Sequence, residues 1–184
     1  MIGNFEDQNY FKDSRTELLK SFTPKKNYLE LENPIINELK NSNSISIHIR
    51  RNRFADQKGL TNNQSLSNKS DKFTFDTIDY INKSIIYFNN KIKNPKYFIW
   101  SNDFKDIEKF ISKLIISDFK LLKNNDAIND FYFFKFSKHF IVSPSSYHWW
   151  GAWLNENKDK ICLRPSNMNP SNNFNFWPSE WISI

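Results

Sequence analysis

Polar residues that suit phosphate binding follow two of the short apolar runs in this sequence. His48, Arg50 and Arg51 close the run SISIHIRR, and Ser145 and Ser146 come just after FIVSP. An arginine guanidinium offers paired N–H donors to phosphate oxygens, and a serine-led helix start adds hydroxyls and backbone N–H groups with a favourable dipole. These residue types therefore indicate a site for a phosphorylated ligand.

Two acidic residues complete the candidate set. Asp103 follows the apolar run YFIWS, and Asp130 lies in the aromatic stretch NDFYFF. A carboxylate has two acceptor oxygens and can pair with two adjacent donors. Taken singly, the candidates also fit structural roles: a buried core histidine, a solvated helix carboxylate, a strand-closing arginine pair and a helix cap.

The sequence lacks the usual motifs for binding phosphate or a metal ion. It has three glycines, which form no glycine-rich loop between a strand and a helix. No cluster of His, Cys, Asp and Glu has metal-ligand spacing, and Asn102-Asp103 is not an Asp-x-Asp pair. We therefore expect no metal ion and no cofactor. The single cysteine, Cys162, excludes an internal disulfide and is predicted to be buried.

Short apolar runs predict the strands that must position the candidates. These strands are Ser44–Arg50, Tyr97–Ser101, Phe119–Leu122, Phe140–Ser143 and Lys160–Arg164. Longer amphipathic runs between them predict helices at 78–88, 104–114 and 126–138, and one from Ser145 through Trp153. This alternation predicts an α/β fold, a parallel sheet with helices on both faces, and such sheets bind ligands at the carboxyl ends of their strands.

Other parts of the chain carry weaker patterns. Residues 55–72 are predicted as a polar loop, and Asp103 as the cap of the second helix. Residues 1–43 contain two helical stretches, 10–22 and 34–40, but no comparable strand. The tryptophans at 149, 150 and 153 are predicted to pack in the core rather than to form a sugar platform.

Composition limits the classes of protein to consider. A chain of 184 residues is long enough for one well-buried domain. No apolar run reaches the length of a membrane span, and the first residues lack a signal-peptide pattern, so we expect a cytoplasmic protein. The net charge of +6 favours anionic partners, but its lysines are dispersed among asparagines, which is typical of solvated surfaces.

Four segments resemble the bacterial α-1,2-fucosyltransferases of glycosyltransferase family 11. They are IHIRR (47–51), FIWSND (98–103), NDAINDFYFFKFSKHFIVSPSSYHWWGAWLN (125–155) and KICLRP (160–165). The His-x-Arg-Arg motif is shared with α-1,6-fucosyltransferases and protein O-fucosyltransferases, whereas the Ser-Ser block with its tryptophans is more specific. The resemblance implies a Rossmann-like domain, the C-terminal half of a GT-B arrangement, that binds GDP-fucose and transfers fucose to a galactose-terminated glycan with inversion and without a metal.

The resemblance also implies roles for the candidates. His48 would contact the nucleotide, Arg50 would hold the diphosphate and offset its charge during transfer, and Asp130 would accept hydrogen bonds from guanine. Ser145 and Ser146 would bind phosphate oxygens. Two further candidates join this GDP-fucose set, namely Arg51 and Asp103.

The chain departs from the family pattern at three points. Asn52-Arg53-Phe54 replaces Gly-Asp-Tyr after the arginine pair, which either removes an interaction that orients Arg50 or adds a phosphate contact. Pro144-Ser145-Ser146-Tyr147-His148 replaces Asn-Ser-Ser-Phe-Ser, and proline removes one N–H donor. Family members carry a further N-terminal domain, so we expect residues 1–43 to be its helical end and linker, 44–184 to be the GDP-sugar domain, and a separately encoded N-terminal half to be a candidate partner.

Three functions stay open at this point. The first is an α-1,2-fucosyltransferase, in glycan or O-antigen synthesis, cytoplasmic or peripheral to the inner membrane. The second is a non-catalytic remnant or partner domain that keeps the GDP pocket. The third, a nucleic-acid binder, is disfavoured because no RNA-binding motif or stacking platform is recognisable.

Overall fold

Six parallel strands form the central sheet of the computed structural model, which describes residues 7–23, 33–55, 63–123, 126–171 and 173–184. The strands are β1 (Asn43–Ile49), β2 (Pro95–Ser101), β3 (Phe119–Leu121), β4 (His139–Ile141), β5 (Cys162–Arg164) and β6 (Ile182–Ser183). Their order across the sheet is β3-β2-β1-β4-β5-β6, and every pair is parallel. This is the strand order of a Rossmann fold, so the predicted α/β class is confirmed.

Six α-helices connect or precede the strands within the described residues. They are α1 (Arg15–Ser21), α2 (Pro34–Asn41), α3 (Gln64–Lys91), α4 (Glu108–Ile111), α5 (Ala127–Phe134) and α6 (Ser146–Leu154), after two 3-10 turns at Gln8–Tyr10 and Lys12–Ser14. All five predicted strands are present, with ends that differ by one or two residues. β6 was missed because two exposed residues give no alternating pattern.

Several predictions about local structure are wrong: the helices predicted at 104–114 and 126–138 are limited to Glu108–Ile111 and Ala127–Phe134. Residues 64–72 are the first turns of α3, not part of a polar loop, because Asn63 caps the helix by accepting from the Leu66 N–H at 3.2 Å. The rest of that loop, 56–62, lies outside the described residues. Asp103 does not cap a helix: α4 begins later, after Ile107, and Asp103 accepts instead from the Lys105 N–H at 2.8 Å.

Side chains on β1 divide between the two faces of the sheet. Ile45, Ile47 and Ile49 are fully buried in the core beneath α3 and α4. Ser44 and Ser46, on the opposite face, bind the elements that cover it: the Ser44 hydroxyl donates to the Leu39 carbonyl of α2, and Ser46 bonds with a histidine of α6. His48 is the last side chain on this face. Ser44, Ser46 and His48 therefore form a row of polar side chains that ends at the carboxyl edge of the sheet.

The described part of residues 1–43 packs on the same core as the sheet. Ile36 and Leu39 of α2 are buried beside Phe140 and Trp153, and Phe11 packs against this cluster from the N-terminal segment. Trp149 and Trp153 are buried there as well, which confirms their predicted role in the core. The origin of residues 1–43 as the end of a preceding domain stays a prediction.

Candidate functional site

A cavity of about 520 Å³ lies at the carboxyl edge of the sheet, where β1, β2 and β4 end. Its lining residues are His48, Arg50, Ser101, Asn102, Phe104, Ala127, Asp130, Ser145, Ser146 and Tyr147. Five of the seven predicted site residues are therefore brought together: His48, Arg50, Asp130, Ser145 and Ser146. A cavity of this size is typical of small-molecule sites, which measure about 300–1,000 Å³.

His48 forms part of the cavity wall at the end of the polar row on β1. Only 3% of its surface is exposed, and its ring lies 5.5 Å from that of Tyr147 and 6.1 Å from that of Phe134, between centroids. Burial, and then the positive charge of Arg50, lower its pKa to about 3. The imidazole is therefore neutral at physiological pH. Its Nδ1 has no hydrogen-bond partner within the described residues, so one polar atom is left for a ligand.

The start of α6 lines the same cavity. Ser145 occupies the N-cap position, yet its side chain makes no capping hydrogen bond. Asn63 and Asp126 do cap α3 and α5 through their side chains, which shows the contrast within one chain. The alternative that Ser145 serves only as a helix cap is therefore not supported, because its hydroxyl caps no N–H group of α6. The first N–H groups of α6 and the hydroxyls of Ser145 and Ser146 together suit an anion.

Asp130 approaches the cavity from the first turn of α5. Only 8% of Asp130 is exposed, whereas the cap residue Asp126 at the start of α5 faces solvent. Tyr147 of α6 donates its hydroxyl hydrogen to the Ala127 carbonyl, so the starts of α5 and α6 are joined beside this carboxylate. Burial, and then the nearby Asp130 carboxylate, raise the pKa of Tyr147, so its hydroxyl stays a donor.

Arg51 and Asp103 lie outside the cavity, in contrast to their predicted place in the binding set. The Arg51 guanidinium stacks over the Phe110 ring at 4.3 Å and donates to the Lys105 carbonyl. Asp103 accepts from the Asn52 side chain, and Asn52 has a left-handed φ of 56°. Both side chains thus hold the loops that follow β1 and β2. Consecutive residues that leave a strand point to opposite sides, which separates Arg50 from Arg51.

Five lining residues were not among the predicted site residues: Ser101, Asn102, Phe104, Ala127 and Tyr147. Tyr147 carried a signal, because it stands where the family pattern has Phe, but only the fold shows that its hydroxyl reaches α5. Asn102 was noted at the end of β2 without a role; its amide exchanges hydrogen bonds with the Arg51 backbone, at 2.6 and 3.2 Å. Phe104 and Ala127 have side chains that no sequence pattern separates from core residues.

The described residues contain no group of three His, Cys, Asp or Glu side chains that could hold a metal ion. Cys162 is a buried free thiol, and burial raises its pKa to about 12. In the same described ranges, no helix is both long and apolar enough to span a bilayer.

Fold and cavity together define a Rossmann-like α/β protein with a cavity at the carboxyl ends of its strands. The sequence profile of glycosyl transferase family 11 matches residues 1–184, and the chain therefore belongs to this family. The resemblance found in the sequence is thereby confirmed at the level of the family.

Two characterised relatives come from Escherichia coli. An alpha-1,2-colitosyltransferase is 26% identical over 188 residues, which cover all of this chain and 61% of the relative. The O-antigen biosynthesis glycosyltransferase WbnK is 27% identical over 192 residues, again all of this chain and 60% of the relative. The chain thus spans about three-fifths of the length of these proteins. No solved structure matches it.

Proposed function

We propose that this chain is the donor-binding part of a glycosyltransferase that moves L-fucose from GDP-fucose to a galactoside hydroxyl in α-1,2 linkage. The observation that carries the proposal is the cavity itself, which places a guanidinium, an uncapped helix start and a buried carboxylate around one space. These groups are the ones that a purine nucleoside diphosphate needs. Membership of family 11 supports the transfer of a sugar.

The proposed roles follow from the chemistry of each group. Arg50 and the start of α6, with Ser145 and Ser146, hold the diphosphate, because paired donors and a helix dipole suit anionic oxygens. Asp130 accepts from the N1–H and exocyclic amine of guanine, a donor pair that uracil lacks. His48 meets the nucleotide as a neutral imidazole, since its pKa is about 3.

Arg50 is also the proposed catalytic residue. Cleavage of the bond between the sugar and the diphosphate leaves negative charge on the departing phosphate oxygen. A guanidinium at the cavity wall stabilises that charge as it develops, and such electrostatic stabilisation contributes most to catalysis of this kind. The proposed transfer is inverting and independent of a metal, with cytoplasmic O-antigen or glycan synthesis as its setting.

A calorimetric titration with GDP, GMP, UDP and ADP tests the binding proposal. We expect GDP to bind most tightly. Arg50→Ala should cost about 1.5–3 kcal/mol of GDP affinity, the cost of a charge-assisted hydrogen bond. Asp130→Ala should bring the GDP and UDP affinities together. Lys83→Ala, an exposed position on α3, is the control and should change neither value. If both site variants bind GDP as the unaltered chain does, the assigned cavity is not the donor site.

We keep as a second function a GDP-binding partner or remnant domain without transfer activity, because Asn52-Arg53-Phe54 departs from the family pattern beside Arg50. In a GT-B arrangement the acceptor lies between two domains, where water is excluded. Release of GDP from GDP-fucose, with and without a galactoside, separates the two functions. The first relative is named for colitose, so the GDP-linked form of that sugar belongs in the same assay. Binding without turnover on any acceptor would favour the partner domain, with its other half encoded separately.

A further inference from the structure

Arg53 lies where three loops of the sheet edge converge. One of its guanidinium nitrogens, Nη1, donates to the Pro144 carbonyl at 3.3 Å, and Nη2 donates to the Pro170 carbonyl at 2.8 Å. Pro144 follows β4 and Pro170 follows β5, whereas Arg53 itself follows β1. The guanidinium also makes a cation–π contact with Phe73 of α3, 5.1 Å from the ring centroid. Arg53 is not among the residues that line the cavity.

The carbonyl that Arg53 binds belongs to the turn that leads into α6. In this turn, residues 143–146, the Ser145 N–H donates to the Ser143 carbonyl at 2.7 Å, around the fixed φ of Pro144. The position of the Pro144 carbonyl therefore determines where the Ser145 hydroxyl and the first N–H groups of α6 point. Arg53 holds this turn at the Pro144 carbonyl.

His148 holds the same turn from the core side. Its Nδ1 accepts from the Ser143 N–H at 3.2 Å, so the ring proton is on Nε2, which donates to the Ser46 hydroxyl at 3.0 Å. His148 is fully buried, and burial lowers its pKa well below the usual value, so this arrangement persists at neutral pH. His148 therefore holds the turn at the Ser143 N–H, and Arg53 holds it at the Pro144 carbonyl.

We propose that Arg53 is a positioning residue for the anion site: it fixes the turn 143–146 so that the start of α6 faces a diphosphate. The proposal rests on the proposed function. It gives Arg53 a role through the turn 143–146 rather than through direct contact with phosphate, since Arg53 does not line the cavity. A planar guanidinium can hold two carbonyls at once, whereas a lysine ammonium is a single point charge, so the geometry requires arginine.

Arg53→Met and Arg53→Lys, studied by calorimetry, test this role. We expect Arg53→Met to weaken GDP binding about tenfold, because the bonds of a charged donor to the turn are lost. Guanosine, measured as a competitor of GDP, should bind as before, since Asp130 is untouched. Arg53→Lys keeps the charge and loses the two-carbonyl geometry, so it should resemble Arg53→Met. Lys69→Met removes a charge over the neighbouring Phe54 ring, at 4.3 Å, and should leave GDP affinity unchanged.

A double-mutant cycle with Ser145→Ala separates positioning from a purely electrostatic effect. If Arg53 acts through the turn, Ser145→Ala should reduce GDP affinity by a smaller factor in the Arg53→Met background than in the unaltered chain. Full GDP affinity in Arg53→Lys, or strict additivity in the cycle, would overturn the positioning role. Loss of guanosine binding together with GDP would show a general collapse of the cavity and would also count against it. Failure of the unaltered chain to bind GDP would instead contradict the proposed function.

Discussion

At the scale of single residues, His48 shows how burial decides a protonation state. The imidazole is almost completely enclosed and lies beside a cation, so its pKa in the folded protein is about 3, below the ordinary 6.5. The folded state therefore binds no proton at this site between pH 3 and 6.5, whereas the unfolded chain does. Because the unfolded state binds more protons in this window, the free energy of unfolding falls as the pH decreases below about 6.5.

His48→Gln tests this linkage through the pH dependence of stability. For a group with these two pKa values, we expect His48 to contribute about 2 kcal/mol to the loss in unfolding free energy between pH 7 and pH 5. Urea denaturation at both values, for the unaltered chain and the variant, measures the difference between the two losses. His139 and His148 also have lowered pKa values, so the variant should keep a smaller pH dependence. Equal losses in both proteins would show that His48 is protonated in the fold.

The candidate site was predictable from the sequence mainly where a residue type and a strand end coincide. His48, Arg50 and Ser145 follow apolar runs, and the topology of a parallel sheet brings such positions to one edge. Which of the two arginines faces the cavity was not predictable, because that depends on the backbone after the last residue of the strand. Arg51 is therefore stacked on Phe110 instead of lining the cavity. The positioning contacts of Arg53 and Tyr147 connect loops distant in sequence, so no local pattern encodes them.

At the scale of elements, α5 and α6 cross so closely that only glycine fits at the contact. A Cβ built on Gly151 of α6 would lie 2.6 Å from the Phe134 Cδ2 atom and 2.9 Å from its Cβ. Phe134 is fully buried and is held by Trp100 and His148, at ring distances of 5.0 and 4.8 Å. The ring therefore has no space to move. This contact sets the spacing between the two helix starts that carry Ser145 and Asp130.

Gly151→Ala should destabilise the protein although alanine favours helices. Helix propensity alone would stabilise the folded state by about 1 kcal/mol. The clash with Phe134 reverses the sign: overpacking at this contact costs about 2–3 kcal/mol, so we expect a net loss of about 1–2 kcal/mol. Urea denaturation measures the change. A second substitution, Phe134→Leu, makes room for the methyl group, so the double variant should be more stable than the sum of the single losses predicts. An increase in stability for Gly151→Ala alone would contradict the close contact.

The elements themselves were predictable to different degrees. The strands were predicted with small errors. Each is marked either by β-branched alternation or by the continuous apolar run that burial on both faces produces. The start of α3 was missed because residues 64–72 are mostly polar, and a solvated helical turn has no apolar period. Its cap, Asn63, and the bond from the Ser70 hydroxyl to the Leu66 carbonyl stabilise that turn locally. The second helix was predicted too long because its apolar residues also pack from irregular turns around α4.

At the scale of the whole molecule, the N-terminal segment and the sheet share an aromatic cluster on α6. Phe11 stacks on Trp150, with ring centroids 4.7 Å apart, and meets Trp153 edge-on at 5.1 Å. Arg15 donates to the Trp153 and Asn155 carbonyls at 3.0 and 3.1 Å, at the C-terminal end of α6, where cations are favourable. The N-terminal segment therefore packs on the helix whose opposite end forms the proposed anion site.

Phe11→Ala tests whether this segment folds with the sheet as one unit. The ring is half-buried, so we expect its removal to cost about 2–3 kcal/mol, toward the lower end for a large aromatic side chain. Tyr10→Ala is the matched control, because the neighbouring ring is 70% exposed and its loss should change stability by less than about 0.5 kcal/mol. Far-UV circular dichroism and tryptophan fluorescence, followed in urea, should give a single coincident transition for all three proteins. If Phe11→Ala is as stable as the control, or if fluorescence changes before the helical signal, the segment is a separate unit and the cluster on α6 is not part of the cooperative core.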